Sequence, residues 1–254
     1  MGGFLLAVIG LGLAATTSRT MAQVLVPVGL AGVEGDAAEF SLLGREDNRV
    51  QLAFGDSALA LAGLKAGDRI VGLSFRLDGD EPLPLTAQTI ANYTIVMATS
   101  TRAPGLLESV FTDNLGPDAT TVRSGSITFG DGTFPADGAP ASLGTIPFLT
   151  AFTYLGGPLV LDISHTTFPE GGRSVDAFTS MGASDFQAQF GSPGSLTADL
   201  GSVAGAGTVV RFDVAAVPEP ETWAAVMALG CGGWVVARRL ARQRAPGRGV
   251  PNGV

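Results

Sequence analysis

Three side chains in this chain of 254 residues have the types needed for nucleophilic catalysis. Ser57 lies in the stretch "FGDSALAL", directly after an apolar run that predicts a strand. Asp162 and His165 lie in "DISH", and His165 is the only histidine. A histidine can take the proton of a serine hydroxyl and make its oxygen a nucleophile, while a carboxylate orients the imidazole. The three residues therefore define a candidate catalytic site.

The same residues resemble two sequence blocks of the GDSL-type esterases, through Gly55, Asp56 and Ser57 in one block and Asp162 to His165 in the other. The resemblance implies ester hydrolysis on an αβα fold. The chain lacks the Gly-x-Asn-Asp block of that family, and its pattern of strands differs from an αβα fold. We therefore predict no enzyme and no catalytic residue, with His165 as a structural residue at a sheet edge. A secreted GDSL-like serine hydrolase stays a lower-ranked alternative.

Acidic side chains in predicted turns could offer oxygen ligands to calcium. They are Asp78, Asp80, Glu81, Asp113, Asp118 and Asp131. None of these stretches matches the twelve-residue calcium loop, and Asp-Gly pairs are common in ordinary turns. Zinc is disfavoured, because one histidine and the single cysteine, Cys231, do not make a tetrahedral site. We predict no cofactor and no metal ligand, and calcium binding at one loop stays an open alternative.

A carbohydrate-binding module is a third alternative, and such modules usually present exposed aromatic rings. The chain has only Tyr93, Tyr154, Trp223 and Trp234 beside its 14 phenylalanines. Both tryptophans lie at or within an apolar run near the C-terminus, and we expect the phenylalanines to form the core. A lectin-like, polysaccharide-binding function therefore depends on the two tyrosines.

Composition and charge restrict the class of protein. Hydrophobic side chains make up 46% of the chain, which is enough for one core of about 200 residues. Residues 23–217 contain 21 acidic and 9 basic side chains. This excess of negative charge argues against nucleic acid as a partner.

Short apolar runs with period-two alternation predict strands along most of the chain. In "RIVGLSFRL", residues 69–77, four apolar side chains share one face. We predict an all-β fold, an antiparallel β-sandwich that could take the jelly-roll arrangement, with one helix near residues 57–64 and a flexible loop at 191–207. The other predicted strands are Val24–Leu30, Phe40–Leu43, Val50–Phe54, Ile90–Ala98, Val122–Phe129, Phe148–Tyr154, Leu159–His165, Phe186–Phe190 and Val209–Val214.

Residues 1–22 have the features of a secretory signal peptide. Gly3–Ala15 is an apolar stretch of suitable length, and Thr20 and Ala22 are small residues at the positions that a signal peptidase inspects. Cys231 is the only cysteine, so no intrachain disulfide can form. We therefore predict an exported domain at residues 23–216.

Residues 217–254 combine three features in sequence. A Pro-rich motif at 217–221 is followed by a 15-residue apolar run at 223–237, which spans about 22 Å as a helix against about 30 Å for a hydrocarbon core. An arginine-rich end at 238–248 follows, and the positive-inside rule keeps it in the cytoplasm. The arginines nearest the apolar run are Arg238, Arg239, Arg242 and Arg244.

This tail resembles the PEP-CTERM sorting tail found on exported proteins of Gram-negative bacteria that make extracellular polysaccharide. The resemblance implies recognition by an exosortase, a membrane cysteine protease, and a short transmembrane helix held by the arginines. The implied sorting motif is Val217, Pro218, Glu219 and Pro220. The region between residues 62 and 166 also resembles uncharacterised ectodomains that carry this tail.

Together these observations predict a structural or adhesive protein of the cell surface or biofilm matrix, associated with exopolysaccharide. A precursor anchored in the inner membrane would hold its domain in the periplasm before release to the cell surface or beyond. The polysaccharide-binding module is the leading alternative.

Overall fold

The computed structural model describes residues 21–179 and 185–215. The predicted signal peptide, except its last two residues, lies outside the described residues, as do the sorting motif at 217–221, the apolar run at 223–237 and the arginine-rich end. Within the described ranges, no helix is both long and apolar enough to cross a membrane.

The described residues form an all-β domain of antiparallel sheets, which confirms the predicted fold class. One short α-helix, α1 (Asp56–Leu61), follows the third strand. The strands in the described ranges are β1 (Ala22–Val26), β2 (Ala37–Glu39), β3 (Asn48–Phe54), β4 (Arg69–Arg76), β5 (Gln88–Ile90), β6 (Tyr93–Thr99), β7 (Thr120–Arg123), β8 (Ile127–Phe129), β9 (Leu143–Thr153), β10 (Leu159–His165), β11 (Val175–Phe178), β12 (Phe186–Gly191), β13 (Gly201–Ala204), β14 (Gly207–Thr208) and β15 (Val210–Ala215).

Two large sheets contain ten of these strands. The four-stranded sheet has the order β1, β15, β4, β9, and the six-stranded sheet has the order β13, β12, β3, β10, β6, β7. Two small sheets, β14-β11-β2 and β5-β8, complete the described domain. Every pairing within the two large sheets is antiparallel.

Side chains from both large sheets enter one hydrophobic core. On β4, Leu73 and Phe75 are fully buried, as the period-two alternation predicts. The ring of Phe54 on β3 meets the ring of Phe212 on β15 edge to face, with centroids 5.6 Å apart. Burial of each such side chain contributes about 1.5 to 3 kcal/mol, so this contact between the sheets is a main source of stability.

Strands with clear alternation were the easiest to predict. Strand β10 has the predicted bounds, and β4 differs from its prediction by one residue. The predicted run at 122–129 is instead two strands, because Gly125 between them has φ of 92°, a conformation that extended strands do not contain. The helix begins at Asp56, one residue before its predicted start, and ends at Leu61, before the predicted end at residue 64. Gly63, with φ of 96°, follows two residues later.

The second predicted strand, Phe40–Leu43, is wrong. The strand lies at Ala37–Glu39, and the two consecutive residues Leu42 and Leu43 are both fully buried, which strand alternation does not permit on a one-sided sheet. The carbonyl oxygen of Leu42 accepts a hydrogen bond from the hydroxyl of Tyr93 at 3.1 Å. The Tyr93 hydroxyl therefore donates the hydrogen bond that a neighbouring strand would otherwise donate to this carbonyl group. The predicted flexible loop at 191–207 also contains a strand, β13.

Candidate functional site

Three residues far apart in the sequence meet at one end of the six-stranded sheet. His165 ends β10 and pairs with Asn48, the first residue of β3, on one side and with Tyr93, the first residue of β6, on the other. The predicted position of His165 at a sheet edge is therefore wrong, because β10 lies between two other strands. The histidine is fully buried.

Both nitrogens of the His165 imidazole lie against backbone carbonyl oxygens. Nδ1 lies 3.0 Å from the carbonyl oxygen of Thr166, and Nε2 lies 2.6 Å from that of Ser41. The ring stacks on Tyr93 at 5.5 Å between centroids. Burial lowers the pKa of His165 below its ordinary value, although the two carbonyl groups act to raise it. Full burial, with both nitrogens against backbone carbonyl groups, keeps His165 out of reach of a substrate.

Ser57 lies beyond the end of β3 that is opposite Asn48. Phe54 and Asn48 mark the two ends of β3, six residues apart, which corresponds to roughly 20 Å at about 3.4 Å per residue. Ser57 follows the Phe54 end, and its hydroxyl bonds to the Asp185 carboxylate at 2.6 Å. The structure therefore does not bring Ser57 and His165 together, and the serine and histidine do not form a dyad.

Asp162 also has a partner other than His165. Arg49 donates from Nε to Oδ1 at 3.0 Å and from Nη2 to Oδ2 at 2.7 Å, and Gln51 donates to Oδ2 at 2.9 Å. The guanidinium lies 4.6 Å from the centre of the Phe111 ring. The hydrogen bonds from Arg49 to Asp162 raise the pKa of Arg49. Asp162 therefore forms a partly buried ion pair on the sheet face opposite Leu161 and Ile163, which lie in the core.

A buried polar network holds the segment between β6 and β7 against this face. The amide nitrogen of Asn114 lies 3.0 Å from the side-chain oxygens of both Gln51 and Gln189. Gln187 accepts hydrogen bonds from the backbone N–H groups of Gly105 and Leu107 at 2.8 and 3.1 Å. The sequence contains one signal of this network, which is the alternation of polar and core residues in β3 and β12. It does not show which residues these polar side chains bind.

Four of the six candidate calcium ligands accept hydrogen bonds from backbone N–H groups. Asp78 accepts from the N–H of Asp80 at 3.0 Å, and Glu81 accepts from the N–H of Ser174 at 2.6 Å. Burial, with nearby acidic residues, raises the pKa of Asp78. Asp118 accepts from Thr99, Asp131 accepts from Ala87, and Asp113 lies in a short 3-10 turn, Phe111–Asn114. Among residues 21–179 and 185–215, no group of three or more acidic, histidine or cysteine side chains could hold a metal ion.

Both tyrosines are buried. The hydroxyl of Tyr93 donates to Leu42, as described above, and the hydroxyl of Tyr154 donates to the carbonyl oxygen of Gly157 at 2.6 Å. Burial raises the pKa of Tyr154 to about 12. Neither ring is exposed enough to stack on a sugar, and Trp223 and Trp234 lie outside the described residues.

A surface cavity of about 450 Å³ lies beside Asn48, at the same end of the six-stranded sheet. It is lined by hydroxyl, amide and apolar groups, including Ser41, Phe190 and Leu200. The sequence analysis did not identify this cavity. The stretch "FGSPGS" at residues 190–195 was its one available signal, because small turn-forming residues leave room between strands.

The chain matches no protein-family model, no curated protein and no solved structure.

Proposed function

We propose that this protein is an exported cell-surface or matrix protein, sorted by an exosortase and serving a structural or adhesive role in an exopolysaccharide or biofilm matrix. The observation that carries the proposal is the order of the tail: the sorting motif at 217–221, the apolar run at 223–237 and the arginines at 238–248. A run of about 22 Å favours a transient anchor over a permanent span. Export to the periplasm precedes release to the surface.

The pairing of the first and last strands supports a domain held from one end. Ala22 at the start of β1 pairs with Val214 near the end of β15. The chain therefore enters and leaves the described domain side by side. A domain attached at this one end leaves the rest of its surface accessible to other molecules.

We further infer that the domain is a β-sandwich of the jelly-roll type. The support is a nested set of antiparallel pairs among eight strands: β1 with β15, β3 with β10, β4 with β9, and β6 with β7. Such nesting is a long hairpin rolled up so that successive pairs fall alternately into two sheets, which is the principle of a jelly roll. The strand orders of the two large sheets agree with this inference.

The test of the sorting proposal follows the tail in the native host. We expect the mature protein to lack residues 238–254, and Glu219→Ala to leave a full-length form in the membrane fraction. Glu221→Ala is the matched control, because it removes the next acidic residue outside the Pro-Glu-Pro triplet. Intact-mass measurement decides the matter: a mature protein that retains Arg238 to Val254 in cells with an active exosortase contradicts the proposal.

A polysaccharide-binding module is the second candidate. The cavity beside Asn48 favours it, because this cavity offers hydroxyl and amide groups next to an aromatic ring. The hydrolase candidate has the least support, since Ser57 and His165 lie at opposite ends of β3 and the serine has no histidine base. We propose that the chain is not an enzyme.

A further inference from the structure

The cavity beside Asn48 combines one amide and three hydroxyl groups with apolar side chains. Asn48, Ser41, Ser192 and Ser202 supply the polar groups, and Phe190 and Leu200 supply the apolar walls. Asn48 is more than nine-tenths buried, whereas 60% of Leu200 is exposed at the rim. The polar groups and the aromatic ring therefore face the same space of about 450 Å³.

The protein binds the oxygen of the Asn48 amide but not its nitrogen. Its Oδ1 accepts the backbone N–H of Arg49 at 2.9 Å, which fixes the plane of the amide. Its nitrogen has no hydrogen-bond partner among the described residues. Because Asn48 lines the cavity, we infer that this nitrogen faces it. Two donor hydrogens at a nearly buried position are available to a ligand with oxygen acceptors.

The lining also determines the charge of the ligand. No lining residue carries a charge, which disfavours anions and cations, because a charged group in a partly buried site needs a counter-charge. The hydroxyl groups disfavour a purely apolar ligand, because their hydrogen bonds to water would be lost. A neutral polyhydroxylated ring satisfies both conditions, with its hydroxyls on the amide and serines and its C–H face on Phe190.

Hydrogen bonds and strand pairing hold the walls of the cavity in place. The N–H of Ser41 donates to the Glu39 carboxylate at 2.5 Å, and its carbonyl oxygen contacts Nε2 of His165 at 2.6 Å. On the opposite wall, Gly191 pairs with Gly201, and a Cβ on Gly191 would come within 2.8 Å of Ala198. A preformed cavity loses less entropy on binding than a flexible loop does.

Contacts connect the neighbourhood of the cavity with the end of β4 that lies away from Ala215. Strand β4 begins at Arg69, opposite Ala215, and ends at Arg76, which contacts Asp176. The neighbouring Arg173 donates its backbone N–H to Leu43 at 2.9 Å, two residues from Ser41.

We propose that the cavity beside Asn48 binds a neutral sugar unit of an extracellular polysaccharide. This inference rests on the proposed association with exopolysaccharide and names the site and the ligand class. The ligand contacts are hydrogen bonds from the Asn48 amide and the serine hydroxyls, with the ring of Phe190 beneath the sugar.

The test is calorimetric titration of the full chain, purified in detergent, with hexasaccharides of glucose, mannose and galactose and with an oligouronate of equal length. We expect at least one neutral hexasaccharide to bind and the oligouronate not to bind. Ser202→Trp fills the cavity and Asn48→Asp keeps the acceptor for Arg49 while it removes the amide donors, so each lowers affinity by roughly tenfold or more. Thr121→Trp is the matched control, because Thr121 is exposed on β7 at the other edge of the same sheet.

Three outcomes overturn the inference: no neutral hexasaccharide binds, the oligouronate binds in its place, or Ser202→Trp and Asn48→Asp bind as the parent does. Circular dichroism of each variant shows that a lost signal is not lost folding. Failure here leaves the sorting proposal intact, since intact-mass measurement of the tail does not depend on sugar binding.

Discussion

Arg76 and Asp176 form an ion pair in the interior of the domain, although 100 residues separate them in the sequence. The Arg76 Nη2 and Asp176 Oδ2 atoms are 2.5 Å apart, and each side chain is 1% exposed. The other carboxylate oxygen accepts the N–H of Gly35 at 2.9 Å, and Arg76 donates to the carbonyl oxygen of Val33. Burial raises the pKa of Asp176, and Arg76 opposes that shift. The pair joins β4, β11 and the loop before β2.

Removal of either partner alone leaves an uncompensated buried charge. We expect Arg76→Met or Asp176→Leu to lower the free energy of unfolding by about 3 to 5 kcal/mol, and the double variant to lose much less than the sum. Urea denaturation of the full chain measures these changes. The exposed pair Arg102 and Glu108, with side chains 48% and 49% exposed, is the control, and Arg102→Ala should cost less than about 1 kcal/mol. Additive losses in the double variant would contradict this account.

The second prediction concerns the segment held by Asn114. Asn114→Ala leaves the oxygens of Gln51 and Gln189 and the carbonyl of Glu108 without this donor in a buried site. We expect a loss of about 1 to 3 kcal/mol in stability and faster hydrogen exchange confined to residues 100–118. Asn92→Ala, at a half-buried position outside this network, serves as the control. Unchanged exchange in the segment would show that Asn114 does not hold it.

The third prediction is a pH dependence from His165. Burial lowers the pKa of His165 in the folded state, so the unfolded chain binds this proton more strongly. Its contribution is complete above the ordinary value of 6.5 and is lost as the pH falls towards the folded-state pKa. We expect the stability difference between the parent and His165→Phe to shrink from pH 7.5 to pH 5.

Carboxylates with raised pKa values, such as Asp176 and Asp213, act in the opposite direction but are present in both proteins. The difference between the two proteins therefore isolates the histidine. Urea unfolding at a series of pH values measures it. A difference that is constant or grows towards acid pH would mean that the two carbonyl contacts outweigh burial.

The fourth prediction is the absence of nucleophilic reactivity at Ser57. Its hydroxyl is bonded to Asp185 and lies at the opposite end of β3 from the only histidine. We expect no labelling of Ser57 by a fluorophosphonate, and Ser57→Ala to cost about 1 kcal/mol in stability through the lost hydrogen bond. Mass spectrometry of peptides from the treated protein provides the measurement. A labelled Ser57 would restore the hydrolase alternative.

Local patterns in the sequence were sufficient for much of the fold. The apolar runs at Leu159–His165 and Arg69–Leu77 predict strands that the structure confirms. A bulge between Ile70 and Gly72 places Ile70 in the core instead of the predicted Val71, so period two alone does not assign every face of β4. Strands Ala37–Glu39, Val175–Phe178, Gly201–Ala204 and Gly207–Thr208 were missed, because each has only two to four residues and its hydrogen-bond partners lie in strands distant or unrecognised in the sequence.

The sequence by itself determined the all-β class, the excess of acidic residues between positions 23 and 217, and the order of features in the tail. Tertiary structure alone decided which side chains meet. It placed Ser41 against His165, 124 residues away, joined Asp162 to Arg49 and separated Ser57 from the histidine. The physical reason is that antiparallel pairing sets the register between distant strands, and register depends on the packing of the whole core rather than on any local run of residues.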